Sequence, residues 1–87
     1  MDVQELVGWN LRRLRVEQNL SQDELALSAN VERAYVGYLE RGQRNPTVAI
    51  LNRLAEAMGV HISQLFIQPT VSDPRPLPLR PGRRKSM

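Results

Sequence analysis

The sequence predicts an all-α fold: a compact bundle of five short helices over residues 1–68, followed by a tail without regular structure over 69–87. Three observations carry this. Apolar residues recur at the 3.6-residue helical spacing and nowhere alternate as in a half-buried strand. Capping residues stand where helices should begin, with Ser21 followed three positions later by Glu24, and Thr47 ahead of a run that stops at Gly59. Composition then shifts: five of the six prolines lie from Pro69 onward.

The first helix is predicted over residues 2–18. Val3, Val7, Leu11 and Leu14 form its apolar stripe, with Leu6 and Asn10 at the edges. Arg12, Arg13 and Arg15 fall off the stripe and read either as a solvated face or as donors to an anion. Trp9 falls about 150° from the stripe centre, near Val16. An indole there is open to contact with a second protomer or another protein, to docking of the proline-rich tail, or to no role at all. Asn19 and Leu20 close the helix.

The second helix opens at the Ser21–Glu24 capping box and stops at Asn30, which tolerates the left-handed conformation. Leu25 and Ala26 face inward, Ala26 being small enough for close approach. Val31 plugs the turn. Glu32, as cap or first residue, begins a third helix that turns Val36 and Leu39 inward and ends at Gly42. Two short helices joined by a turn of about three to four residues make a helix-turn-helix, whose second helix can enter the DNA major groove. Pro46 keeps the following loop out of helix. Thr47 caps a fourth helix running to Met58, with Leu51, Leu54, Ala55 and Met58 inward. A short fifth helix, about 62–67, turns Leu65 and Phe66 inward, with His61 capping it or exposed.

Composition narrows the class. A chain of 87 residues makes one small domain, with no cysteine for a disulfide or thiolate metal site and one histidine, too few for a histidine metal centre. No metal or cofactor is expected, and no nucleophile–base–orienter set points to an enzyme. No apolar run approaches the ~20 residues that span a membrane, and the first residues are not a signal peptide, so a cytoplasmic protein is expected. The net charge of +3 comes from the end of the chain: residues 1–68 hold seven Arg against eight acids, and residues 69–87 hold four Arg and one Lys against one Asp. The tail reads as disordered or polyproline-like, either passive or a basic arm for DNA.

On a groove-entering third helix, Glu32, Arg33, Ala34, Gly37 and Tyr38 are left to face the groove or its walls, with Glu32, Arg33, Ala34 and Tyr38 as the candidate base readers. Arg33 is the strongest base reader, because a guanidinium fork matches guanine O6 and N7. Glu32 accepts from a cytosine amino group or orients Arg33, and Ala34 offers a methyl to thymine. Gln22 at the amino end of the second helix, with Arg41, Arg44 and Asn45 in the loop after the third, supplies backbone-phosphate donors. Gly37, costly in a helix, marks close approach of the DNA backbone or of another helix.

The residues SQDELA, AN-V, ER-Y and LERG-RNP resemble the phage-repressor/Cro-like helix-turn-helix domains, over roughly Leu6 to Phe66. Within that group ERAYVGYLERGQRNP is most similar to the controller proteins of restriction–modification systems. The departures are Asn30 where Gly is usual, His61 where Ser or Thr is usual, and the long tail. The resemblance implies a five-helix lambda-repressor-like DNA-binding domain. It also implies a structural ion pair between Arg15 and Glu40, Arg33 as base reader, and Tyr35 on phosphate or the groove wall unless its ring packs inward. Dimerisation is implied around the last two helices, where Val60, Ile62, Phe66 and Ile67 exceed what a small core needs. The expected function is a transcriptional regulator reading a palindromic double-stranded DNA operator as a homodimer. The alternative is an antitoxin or protein-interaction module on the same fold, with a further protein partner bound through Trp9 or the tail.

Overall fold

The computed structural model describes residues 1–69, so the expectations for the tail lie outside the described residues from Thr70 on. The elements are α1 Val3–Glu17, α2 Gln22–Ala29, α3 Arg33–Glu40, α4 Val48–Ala57 and a 3-10 helix Ile62–Phe66, with no strand among the described residues. The expected fifth helix is therefore a 3-10 helix.

Helix starts follow local chemistry. Asp2 and Ser21 each form a complete capping box, with Glu5 and Glu24 returning to the cap amide. Thr47 caps α4 through the Ile50 amide, and His61 accepts from the Ser63 amide. All four α-helices end alike. Asn19, Asn30, Gly42 and Gly59 take φ of 59°, 59°, 71° and 69°. The residue after each donates back five positions: Leu20 to Arg15, Val31 to Ala26, Gln43 to Tyr38 and Val60 to Ala55. This is the Schellman ending, which satisfies carbonyls that the helix leaves open.

The core is Leu11, Leu14, Leu25, Ala26, Val36, Leu39, Leu51, Leu54, Ala55, Met58 and Leu65, with Val7 and Ala29. α1 packs on α3 and the 3-10 helix, while α2 packs on α3 and α4. The α1–α3 crossing is close: a Cβ on Gly8 would lie 2.3 Å from the Leu39 carbonyl oxygen and 2.8 Å from that of Glu40. The chain is closed by Asn10, fully buried, whose Nδ2 donates to the carbonyls of Leu6, Leu65 and Ile67 at 3.1, 3.0 and 2.9 Å. Arg13 donates to Asn10 Oδ1 at 2.8 Å and to the Gln64 carbonyl at 3.3 Å.

Three expectations need correction. Trp9 is not on an outer face; it is 4% exposed, with the Arg13 guanidinium 5.7 Å from its ring centre. Residues 6–11 are buried without a break, more than a full helical turn, so α1 is enclosed on all sides there rather than along one stripe. Trp9 thus offers no open face to a partner. Val3, placed in the stripe, is 60% exposed because it lies at the first turn, outside that enclosed stretch. Phe66, turned inward in the sequence reading, is 41% exposed. A 3-10 helix repeats every three residues, so Ile62 and Leu65 share the inner side and Phe66 rotates off it.

Candidate nucleic-acid interface

The inner face of α3 is fixed by one carboxylate. Glu40 is buried and takes two bonds from Arg15 of α1, Nε to Oε2 at 2.6 Å and Nη2 to Oε1 at 3.1 Å. Arg15 also donates from Nη1 to the Leu20 carbonyl at 2.7 Å. Gln22 of α2 adds a third bond to Glu40, Nε2 to Oε1 at 3.0 Å. One side chain therefore ties α1, α2 and α3 together, with the fork-to-carboxylate geometry that makes such bonds strong and directional. Gln22, read from sequence as a phosphate donor, serves in this network. Arg13 and Arg15 are likewise committed inside the protein. Arg53 of α4 donates from Nη1 to the Asn30 carbonyl at 3.1 Å, holding the turn between α2 and α3.

The outer face of α3 carries the expected readers. Glu32, Arg33 and Ala34 are exposed at its amino end, and Glu32 stands at the N-cap without a side-chain capping bond. Arg33 pairs through Nε with Asp23 Oδ1 of α2 at 3.3 Å, both side chains largely in solvent. Tyr35 is half-buried and packs against the core, the inward alternative of its two readings. Gly37 is buried, yet the nearest atoms a Cβ there would meet outside its own helix backbone are Arg41 Nη1 at 3.4 Å, Gln22 Oε1 at 3.7 Å and Arg41 Nη2 at 3.8 Å, the ends of flexible side chains. Helix packing therefore does not demand this glycine, unlike Gly8. Arg41, Arg44 and Asn45 are exposed on the adjoining loop. The guanidiniums of Arg44 and Arg41 lie 4.0 and 5.2 Å from the Tyr38 ring centre.

Sequence reasoning assigned nothing to Gly8, Asp23 or Gln43. Gly8 could have been found, since a glycine inside a strong helical pattern marks close backbone approach. Asp23 and Gln43 are ordinary surface residues in sequence; Asp23 meets Arg33 through the turn that follows α2, and Gln43 meets Arg41 through the turn at Gly42. Among the described residues no group of His, Cys, Asp and Glu is placed to hold a metal, and no helix is long and apolar enough to cross a membrane.

A short helix braced from behind by a buried ion pair, with an arginine-bearing polar face turned outward and two arginines beside its carboxyl end, defines a class: the DNA-binding helix-turn-helix regulators. The chain belongs to the helix-turn-helix family, whose model matches residues 11–65. It is 45% identical over 74 residues to the HTH-type transcriptional regulator y4dJ of Sinorhizobium fredii, covering 85% of this chain and 95% of that one. The restriction–modification controller protein C.AhdI from Aeromonas hydrophila superposes with a TM-score of 0.71 at 40% identity, covering 72% of this chain and 96% of that one. The controller C.Esp1396I, crystallised as a tetramer with its natural 35-base-pair operator, gives a TM-score of 0.70 at 26% identity, covering 76% and 87%.

Proposed function

We propose that the protein is a transcriptional regulator that reads a palindromic double-stranded DNA operator as a homodimer, with α3 in the major groove. The observation that carries this is the division of α3: Val36, Leu39 and Glu40 are fixed inside, while Glu32, Arg33 and Ala34 stand clear at the end that enters a groove. Arg33 reads a guanine, Glu32 takes a cytosine amino group or steadies Arg33, and Ala34 meets a thymine methyl. The Arg33–Asp23 pair does not oppose this. Exposed pairs are worth roughly 0–1 kcal/mol, so Arg33 exchanges Asp23 for a base at small cost. Arg44 and Asn45 contact phosphate and set the register. Gly37 lets the DNA backbone approach. Phe66 and Ile67, exposed at 41% and 44% beside half-buried Val60 and Ile62, form the dimer surface. Cytoplasmic residence fits such a role.

Selection of bound sequences from random duplex DNA tests the proposal. An enriched motif with two-fold symmetry, half-sites about one helical turn apart, is expected; no enrichment overturns it. On the recovered site, Arg33→Ala should cost about 1–3 kcal/mol per half-site and relax one base pair, whereas Arg44→Ala should weaken all sequences nearly equally. The opposite pattern would reverse the assignments of reader and anchor.

A further inference from the structure

We infer that Tyr38 is a positioning residue and not a base reader: its ring holds the guanidiniums of Arg41 and Arg44 as a preformed clamp for a DNA phosphate. The inference rests on the DNA-binding reading above. Both guanidinium carbons lie within the ~6 Å over which a cation is attracted to an aromatic face, Arg44 at 4.0 Å and Arg41 at 5.2 Å. The backbone brings them there. At the end of α3, Gly42 donates to the Leu39 carbonyl at 3.0 Å and Gln43 to the Tyr38 carbonyl at 2.9 Å, with Gly42 at φ 71°. That turn folds residue 44 back over residue 38. Gly42 is fixed twice, by its left-handed φ and by α1, since a Cβ would lie 3.2 Å from Glu5 Cγ.

Gln43 completes the arrangement. Arg41 Nε donates to Gln43 Oε1 at 3.1 Å, and Arg44 Nη1 donates to the Gln43 carbonyl at 2.9 Å. Each guanidinium is thus held by the ring and by one hydrogen bond, which leaves its other N–H groups for a ligand. Gly37 leaves open the space against Arg41 Nη1. Among the described residues, no carboxylate lies within ion-pair distance of either arginine. Two cations held together without an acid are completed by an anion, and pre-ordering them removes entropy that binding would otherwise lose. Tyr38 stays 36% exposed, but its ring is already engaged by the two guanidiniums.

The test uses the full chain, a fluorescent random-sequence duplex and the duplex recovered by selection. Tyr38→Leu should weaken both duplexes by the same factor, about two- to tenfold, and Tyr38→Phe should bind as the parent does. Once Arg41 and Arg44 are both changed to Ala, adding Tyr38→Leu should have no further effect. In the free protein, the Arg44 side-chain protons should show upfield ring-current shifts with Tyr or Phe at 38 and lose them with Leu. This readout needs no DNA, and a parent protein without the shifts overturns the clamp. So does a loss in Tyr38→Phe equal to that in Tyr38→Leu, a loss confined to the selected site, or a loss that persists without the arginines. Unchanged binding by Tyr38→Leu sinks the clamp alone; a parent that binds neither duplex sinks the DNA-binding reading as well.

Discussion

A methyl group added at Gly8 would run into the backbone of α3, and one added at Gly37 would meet, outside its own helix backbone, side-chain ends that can step aside. The two glycines therefore differ in purpose, although both sit inside helices. Gly8→Ala forces α1 away from the carbonyls that end α3 and should destabilise the fold by about 1–3 kcal/mol or more. Gly37→Ala removes a residue that costs a helix about 0.5–1 kcal/mol, so the fold should gain roughly that amount. If DNA backbone passes over Gly37, the same change should weaken binding to every sequence. Urea denaturation and DNA titration of the two variants check this together. A Gly37→Ala protein that is less stable than the parent would return that glycine to helix packing.

Each helix in the pair α2–α3 is short, and short helices draw their stability from what they pack against. Glu40 is where that support is concentrated, since α1, α2 and the loop before α2 meet at its carboxylate through Gln22 and Arg15. Removing one partner of a buried pair strands the other charge. Glu40→Gln should therefore cost about 3–5 kcal/mol, read as a lowered denaturation midpoint, while the preferred operator sequence stays the same. Unchanged stability with altered base preference would contradict this. These elements were legible in the sequence because their signals are local. Ser21, Glu24, Asn30 and Thr47 declare starts and stops within four residues, and the Arg15–Glu40 pairing followed from family resemblance. Burial of Trp9 was not legible, because one apolar stripe presumes one neighbour and α1 has two, α3 and the 3-10 helix. Phe66 was misplaced because a 3.6-residue period was applied to a segment that winds at 3.0. The contact of Tyr38 with Arg44 depends on a turn between them, and no spacing rule reports it.

At the scale of the whole molecule, charge and assembly decide how strongly DNA is held. Residues 1–68 carry a net charge of −1 by the count above, so DNA affinity depends on arginines gathered on one face. If a dimer neutralises six to eight phosphates, the logarithm of affinity should fall with the logarithm of salt at a slope of about −5 to −7. A flat response would contradict a backbone clamp. Phe66→Lys places a charge on the proposed dimer surface without entering the core, so it should yield a folded monomer by sedimentation and lose operator affinity steeply. The Asn10 contacts bear on the molecule in another way. They fasten residues 65 and 67 to the first helix, and the single tryptophan of the chain stands next to Asn10 in that enclosed stretch. Its emission is then a gauge of whether this seam is shut. The native protein should emit like a shielded indole at every concentration and resist acrylamide quenching, and separation of the seam should turn the emission red. An opening of the seam short of global unfolding would register in the same optical signal once the open form is appreciably populated, with no label attached.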